Sequence, residues 1–339
     1  MFKCKFLKVT SITFILIFVC FMILITHTLA SQDKLDFSTK PIVNIIPAQP
    51  GGGWDTASRA ITPQWEKIIN STFQYEYLTG AGTVIAMTRL TSLPPDGHAV
   101  MWGFISYTAN TLEFQKPPHI SWDDIAFLGN VISDADALIV RADDNRWSNA
   151  NEFIEYARKA KDSVIVSVSQ PLAPAHLIAE IFKELSGANI EVLPFDGGSA
   201  ARNALAGGHV DASIGALSGV LPMREQLKVI GVFADQNPVS DIWDCPTISE
   251  SVDFDMPNSI SNIAVHIRKD TIRENPEVFD YLVKTFKEAI MHPDTQESLK
   301  KQDYLRFVDY LTPEECDEKV IEYNDMMTKY GYLIDPSKQ

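Results

Sequence analysis

The stretch Ile45-Ile46-Pro47-Ala48-Gln49-Pro50-Gly51-Gly52-Gly53-Trp54-Asp55-Thr56 carries the clearest chemical signal in the sequence. An apolar, β-branched run ends, three glycines turn the chain, and a helical pattern begins. The first amides of a helix lack internal partners and carry the positive end of its dipole. Glycine has no Cβ, so a ligand can approach those amides closely. An anion can therefore be held without a cationic side chain, and no Lys or Arg lies between Pro41 and Ser58. Taken alone, the same residues also describe a tight strand-to-helix turn with Asp55 as the helix cap.

A second junction changes the weighing. Ile190-Glu191-Val192-Leu193-Pro194-Phe195-Asp196-Gly197-Gly198-Ser199-Ala200 again runs from strand through a glycine pair into a helix. A third runs from strand 163–169 through Gln170 and Pro174 to the helix holding His176. Ligands of open α/β sheets sit outside the carboxyl ends of strands, where such turns gather. Two glycine turns about 145 residues apart, one per candidate lobe, fit a cleft gripped from both sides.

Other chemistries fit less well. Gly51-x-Gly53-x-x-Thr56 approaches a dinucleotide fingerprint, with Glu76 placed as a ribose ligand, but Thr56 stands where Gly or Ala is wanted. No P-loop or HExxH is present, and Ser218 in Gly215-Ala-Leu-Ser-Gly219 has the wrong spacing for a nucleophile elbow. The seven His do not cluster: His176 reads as a capped or packed helix residue, His209 as a turn residue, His98 as a strand-edge residue. No CxxC pair or Cys/His group suggests a metal, and no cofactor is expected. With 29 Lys+Arg against 44 Asp+Glu the net charge is −15, which argues against a nucleic-acid partner.

The elements that must position these turns follow from the hydrophobic pattern. Strands are expected over 41–48, 99–104, 137–141, 163–169, 190–193, 210–214 and 228–233, alternating with helices over 56–69, 149–161, 175–186, 200–206, 276–291 and 313–330. Alternation of this kind points to a largely parallel α/β sheet. At roughly 100–200 residues per domain, 339 residues make two domains or one large one. No Ser/Gly linker separates two modules, so we expect two lobes built by a chain that crosses over and returns. Lobe 1 is expected from 31–139 and 262–339, and lobe 2 from 140–261.

Residues 1–30 fall outside that fold. Lys3, Lys5 and Lys8 precede an apolar run from Ile12 to Ile25, and Thr28-Leu29-Ala30 follows with no acidic residue. The order of basic, apolar and small residues is that of a cleaved secretory signal peptide. The run falls short of the ~20 residues a spanning helix needs. Removing it leaves 26 basic against 44 acidic residues, or −18, and only Cys245 and Cys316. These two are expected to be separate buried thiols.

An ordered set of motifs completes the reading. Pro50-Gly51-Gly52-Gly53-Trp54-Asp55 with Arg59 is followed by Gly80-Ala81-Gly82 and Pro95-Asp96-Gly97-His98. Then come His176 and Glu180 on one helix, Phe195-Asp196-Gly197-Gly198, Gly207-Gly208-His209-Val210-Asp211, and Cys245-Pro246-Thr247-Ile248-Ser249-Glu250. In this order, from about Pro41 to Tyr330, the chain resembles the periplasmic solute receptors of tripartite tricarboxylate transporters, the Bug proteins. The chain departs from the family pattern at Tyr77-Leu78-Thr79, Thr83, Phe195-Asp196 and the loop from Gln170 to Pro174.

The resemblance implies a two-lobed periplasmic-binding-protein (Venus-flytrap) fold, type II-like, with the ligand cleft between lobes. It implies a monomeric, non-enzymatic receptor in the periplasm that passes a small organic acid to membrane permease subunits. A citrate-like tricarboxylate or C4 dicarboxylate is the first expectation. Pro50, Gly51, Gly52, Gly53, Trp54, Asp55 and Ser106 would line one side, with the ligand carboxylate on the amides of Gly51, Gly52 and Gly53. Ser169, Gln170, Phe195, Asp196, Gly197 and Ser199 would line the other. Asp196 either repels a second carboxylate or welcomes an ammonium at the pocket edge, or it is a solvated cap of its helix. Alternatives are a ligand sensor for a two-component system, a carboxylate or acidic amino-acid receptor without a dedicated permease, and an exported hydrolase using Ser218 or Ser199.

Overall fold

The computed structural model describes Leu35 and residues 37–337. The segment expected to be a signal peptide lies outside the described residues. The buried β-branched run Ile42–Ile46 forms β1, the mostly half-buried Phe73–Tyr77 forms β2, and the buried apolar run Ala99–Phe104 forms β3; the three lie parallel in the order β2-β1-β3. The next strand, β4 (Ile125–Arg141), is 17 residues long. After it come β5 (Val164–Val168), β6 (Ile190–Pro194), β7 (Ala212–Ala216), β8 (Leu227–Val232), β9 (Ile260–Arg268) and β10 (Val308–Leu311). A second parallel set has the order β7-β5-β6.

The expectation of a largely parallel sheet is corrected by what joins the two sets. β9 runs antiparallel to β3 and β4, and β4 runs antiparallel to β7, β8 and β10. The first part of β4 pairs with β9, from Ile125 opposite Arg268 to Ala135 opposite Ile260. From Asp136 on it pairs with β7 and β8 instead. A chain that leaves one parallel set and later returns must run out along one strand and back along another, and antiparallel pairing results.

Packing fixes the first glycine turn rigidly. The helix Gly53–Ile69 buries Trp54, Ala57, Ile61, Trp65 and Ile69, the i, i+3/i+4 stripe of an amphipathic helix. Trp65 packs with its ring 5.0 Å from, and tilted to, both Phe73 and Phe286, and donates its indole N–H to Thr285 Oγ1 at 3.1 Å. Thr285 and Phe286 belong to the long helix Pro276–Met291. Asn44, fully buried on β1, donates to Ser58 Oγ at 2.9 Å and accepts from Trp102 Nε1 at 2.8 Å. A buried amide satisfied on both sides pins helix, β1 and β3 together.

The second glycine turn is held similarly. Ser167 on β5 donates to the carbonyl of Ala201 at 3.2 Å, and Ser213 on β7 donates to the Ser167 carbonyl at 3.0 Å. The helix Gly198–Ala206 thus lies against β5 and β7, starting two residues before the expected 200–206. The expected helices over 276–291 and 313–330 occur as Pro276–Met291 and Pro313–Tyr330. β2, β9, β10 and the helices Val84–Ser92 and Pro293–Lys301 are additions to the expected elements. Cys245 is half-buried, Cys316 buried, and neither is in a disulfide.

Candidate ligand-binding site

At the end of β1 the chain turns through Gly51, whose φ of +82° is a conformation that favours glycine. Gly52 is the N-cap of the helix Gly53–Ile69 and contributes no side chain. Of the three glycine amides expected to face an anion, two are already occupied. Gly51 N–H donates to Asp55 Oδ2 at 2.8 Å, and Gly52 N–H to the Gln49 carbonyl at 3.3 Å. The helix's own bonding begins with Thr56 N–H to Gly52 O at 2.9 Å. The amides of Gly53, Trp54 and Asp55 are left without acceptors among the described residues. The open donors are therefore displaced about two residues from the expected set.

Asp55 does more than cap. Its carboxylate, almost wholly buried, also accepts from Tyr77 Oη at 2.7 Å and from Arg59 Nε at 2.9 Å. Asp55 is thus charge-compensated on one side while it fixes the loop on the other.

The wall beside these amides is aromatic. Trp54 lies edge-on to Phe104 at 5.1 Å and 6.3 Å from Tyr107. Trp54 Nε1 and Ser106 Oγ are both buried and neither has a hydrogen-bond partner. Unpaired buried donors are uncommon, because each forfeits its water without replacement. Ser106 follows β3 directly, in the short helix Ile105–Asn110. The same helix reaches the third junction: Asn110 Nδ2 donates to the Leu172 carbonyl at 2.6 Å and Tyr107 Oη to the Pro171 carbonyl at 3.4 Å.

On the other side, Phe195 N–H donates to Val168 O at 3.0 Å and Gly197 N–H to Ser169 O at 2.7 Å. These bonds lay the second loop against the end of β5. Gly197, with φ +125°, caps the helix Gly198–Ala206, whose amides at Gly198, Ser199 and Ala200 have no acceptors among the described residues. Ser169, Gln170, Phe195 and Gly197 are half-buried, while Pro50, Asp196 and Ser199 are exposed.

Residues that the sequence did not place in the pocket connect the two loops. A Cβ on Gly53 would stand 3.4 Å from Tyr304 Oη, so this phenol faces the first loop. Tyr304 is buried and hydrogen-bonded to Ser218, and burial holds its pKa above the ordinary value. Ser218 N–H donates to the Asp134 carboxylate at 3.1 Å. Burial pushes Asp134 up to about 7, against the lowering effect of Ser218 and of nearby Arg202. Arg202 itself lies against the second loop, where a Cβ on Gly198 would meet its Nη1 at 2.9 Å. Its position one turn into the helix opened by the glycine pair was a local signal. Nothing local marks Tyr304, about 100 residues further on.

Other expectations resolve simply. Glu76 forms a two-pronged ion pair with Arg89 at 2.8 and 2.9 Å, a structural role rather than a ribose contact. His176 is buried, accepts Leu172 N–H at 3.3 Å, and is lowered to about 4 by burial. Ser199 meets Arg202 at 3.4 Å, and neither it nor Ser218 is hydrogen-bonded to a histidine among the described residues. Among these residues no group of three His, Cys, Asp or Glu could hold a metal, and no helix is long and apolar enough to cross a membrane.

Comparison with known proteins agrees with this architecture. The family described as "Tripartite tricarboxylate transporter family receptor" (TctC) matches residues 58–334. A UPF0065 protein from the tcbD-tcbE intergenic region of Pseudomonas sp. (strain P51) is 24% identical over 282 residues, 81% of this chain and 82% of its own. Among solved structures, MatC of Rhodopseudomonas palustris with bound malate superposes with a TM-score of 0.73 at 18% identity, covering 88% of this chain and 100% of that one. An R. palustris protein with adipate gives a TM-score of 0.75 at 19% identity, covering 88% and 98%. The fold is thus the two-lobed α/β fold of periplasmic binding proteins. With most of its length matched, the chain belongs to the tripartite tricarboxylate transporter receptor family.

Proposed function

We propose that the protein is an extracytoplasmic receptor that captures a small organic acid with two or three carboxylates and delivers it to tripartite-transporter permease subunits. The observation that carries this reading is the pair of buried, unpartnered donors Trp54 Nε1 and Ser106 Oγ, which share the first loop's side with the open amides of Gly53, Trp54 and Asp55. Several donors without acceptors and no cation within the loop describe a site for one carboxylate. Each such helix-end contact contributes roughly 0.3–1 kcal/mol when wet and up to ~2 when partly buried, so the donors must act together. The malate and adipate bound by two relatives of the same fold are dicarboxylates and lie within the class we propose.

On this reading Pro50, Gly51, Gly52, Gly53, Trp54, Asp55 and Ser106 form the first half of the pocket. Ser169, Gln170, Phe195, Asp196, Gly197 and Ser199 form the second. The lobes are 31–139 with 262–339, and 140–261, and they close on the ligand about the strands β4 and β9 that join them. The ligand favours the closed state through the contacts only that state makes. The receptor acts as a monomer in the periplasm, released from a signal peptide at about Ser31. A mature charge of −18 opposes long-range capture of anions, so affinity comes from local dipoles in a water-poor cleft.

A thermal-shift screen of citrate, malate, succinate, adipate, glutamate and aspartate tests the assignment. We expect stabilisation by at least one di- or tricarboxylate. Stabilisation by neutral sugars or amines alone, with none by any carboxylate, overturns it. Permease genes beside this one would support delivery to a transporter, and a histidine kinase gene there would favour a sensor.

A further inference from the structure

The Arg202 guanidinium is the most under-satisfied charge beside the proposed pocket. It folds back over the start of its own helix into space that two glycines leave open. A Cβ on Gly198 would meet Nη1 at 2.9 Å, and one on Gly219 would meet Nη2 at 2.9 Å. Both glycines have ordinary negative or extended backbones, so the demand for glycine here is for room and not for a special φ.

Having made that room, the protein gives the guanidinium little to bind. Nε is buried with no acceptor, and the one hydrogen bond of the side chain is Nη2 to Ser199 Oγ at 3.4 Å. No carboxylate of the described residues comes within 4.0 Å of it. Asp134 acts on it only from beyond that distance, and its carboxylate is bonded to the Ser218 amide. A guanidinium presents five N–H donors in a planar fork, and its buried part is costly without an anion. The residue as a whole is half-buried, so part of it stays reachable from solvent although Nε does not. Beside the guanidinium lie the open amides of Gly198, Ser199 and Ala200.

We propose that Arg202, with these amides, is the seat of a second ligand carboxylate, opposite the one held by Gly53, Trp54 and Asp55. The inference rests on the anion-receptor reading above and narrows it: the ligand carries two separated carboxylates, one per lobe. It also gives the acidic protein one cation at the place where the dipoles of the first loop are out of reach. Exposed Asp196 then lies at the rim, and the preference for a second negative charge is set by Arg202. Arg is suited to this task because its fork matches a carboxylate in two parallel hydrogen bonds.

The test compares chain-matched probes by calorimetry: succinate with butanoate, and adipate with hexanoate. Wild type, Arg202→Met and Arg202→Lys are measured, with circular dichroism and melting curves to verify folding. Wild type should favour the better dicarboxylate over its monocarboxylate by roughly 10- to 100-fold, the worth of a charge-assisted pair. Arg202→Met should collapse that ratio toward one, and Arg202→Lys, which keeps charge but not the fork, should retain an intermediate ratio. A wild-type ratio kept by folded Arg202→Met, or equal loss of both probes, overturns the proposal. If Arg202→Met does not fold, the lysine variant decides alone, and an unchanged ratio there overturns it. Wild-type binding of monocarboxylates as tightly as dicarboxylates removes this inference but leaves the receptor reading, whereas no carboxylate binding at all removes both.

Discussion

The Gly51 amide donates to the Asp55 carboxylate at 2.8 Å, so the turn that opens the helix is tied to the helix's own first turn. One buried carboxylate therefore sets the direction of the free amides that follow. It also carries the Tyr77 hydroxyl and Arg59 Nε. Replacing Asp55 with Ala strands three donors at once. We expect a loss of stability of about 0.5–1.5 kcal/mol, the net worth of such hydrogen bonds, because Gly51 and Arg59 are exposed and regain water. Ligand affinity should fall as well, although a negative charge has been removed near an anion. A gain in malate or succinate affinity would show that Asp55 acts by repulsion rather than by ordering the loop. Urea denaturation and calorimetry on the same variant measure both effects.

Gly53 faces the Tyr304 hydroxyl, with 3.4 Å between that oxygen and a Cβ at Gly53. Gly53→Val fills this gap with a branched side chain while keeping a backbone that other residues adopt. Affinity for dicarboxylates should fall at least roughly tenfold, or ~1.4 kcal/mol. Stability should change within about 0.5–1 kcal/mol, since the position is exposed. Unchanged calorimetric affinity would place the ligand elsewhere.

Ser106 offers a test whose sign separates a binding role from a packing role. Its hydroxyl is buried and unpartnered, and an unsatisfied hydroxyl is a cost in the empty protein. Ser106→Ala should therefore leave the melting temperature unchanged or raise it when no ligand is present. With malate or succinate added, the ligand-induced rise should be smaller than in wild type. A variant that is less stable alone but gains as much from ligand would make Ser106 a packing residue only.

How much of this was legible depends on how local the signal is. The glycine turns at residues 51–53 and 197–198 stand out because a strand, a turn and a helix start leave distinct marks within a dozen residues. β4 was recognised only over 137–141, because Asn130, Asp134 and Asp136 break the apolar run. The structure buries those acids anyway. Asp134 finds its partner at Ser218, 84 residues away, and Asp136 at Ser259, 123 residues away. Nothing in the local pattern announces such pairing. The same holds for Tyr304, whereas Arg202 was marked locally only by its place one turn into a helix opened by a glycine pair. The occupation of the Gly51 amide by Asp55 was visible only in the folded turn, since the spacing fits a cap equally well.

Asp134 and Asp136 set the last expectation. Both are fully buried on the strand where the pairing changes partners, and burial pushes each up to about 7. Asp136 accepts from Ser259 Oγ at 2.6 Å, and the neighbouring Asp134 charge raises it further. An ordinary carboxyl ionises near 3.8, the value of an unfolded chain. Between about 4 and 7 the unfolded protein has released this proton and the folded one still holds it. The neutral carboxyl's contribution to stability is thus complete below about 4 and lost as pH rises to about 7. His176 and His266, both lowered to about 4 by burial, act with the opposite sign and weaken the fold as pH drops below 6.5. Raw melting curves therefore mix two opposed slopes. The difference between Asp136→Asn and wild type isolates one of them, because the amide still accepts the Ser259 hydroxyl but never ionises. That difference should grow in favour of the variant from pH 4 to pH 7.5, at on the order of 2–4 °C per kcal/mol. Parallel melting-temperature profiles across this range would mean that Asp136 is already ionised in the folded protein at pH 5, and that the junction strand tolerates its charge.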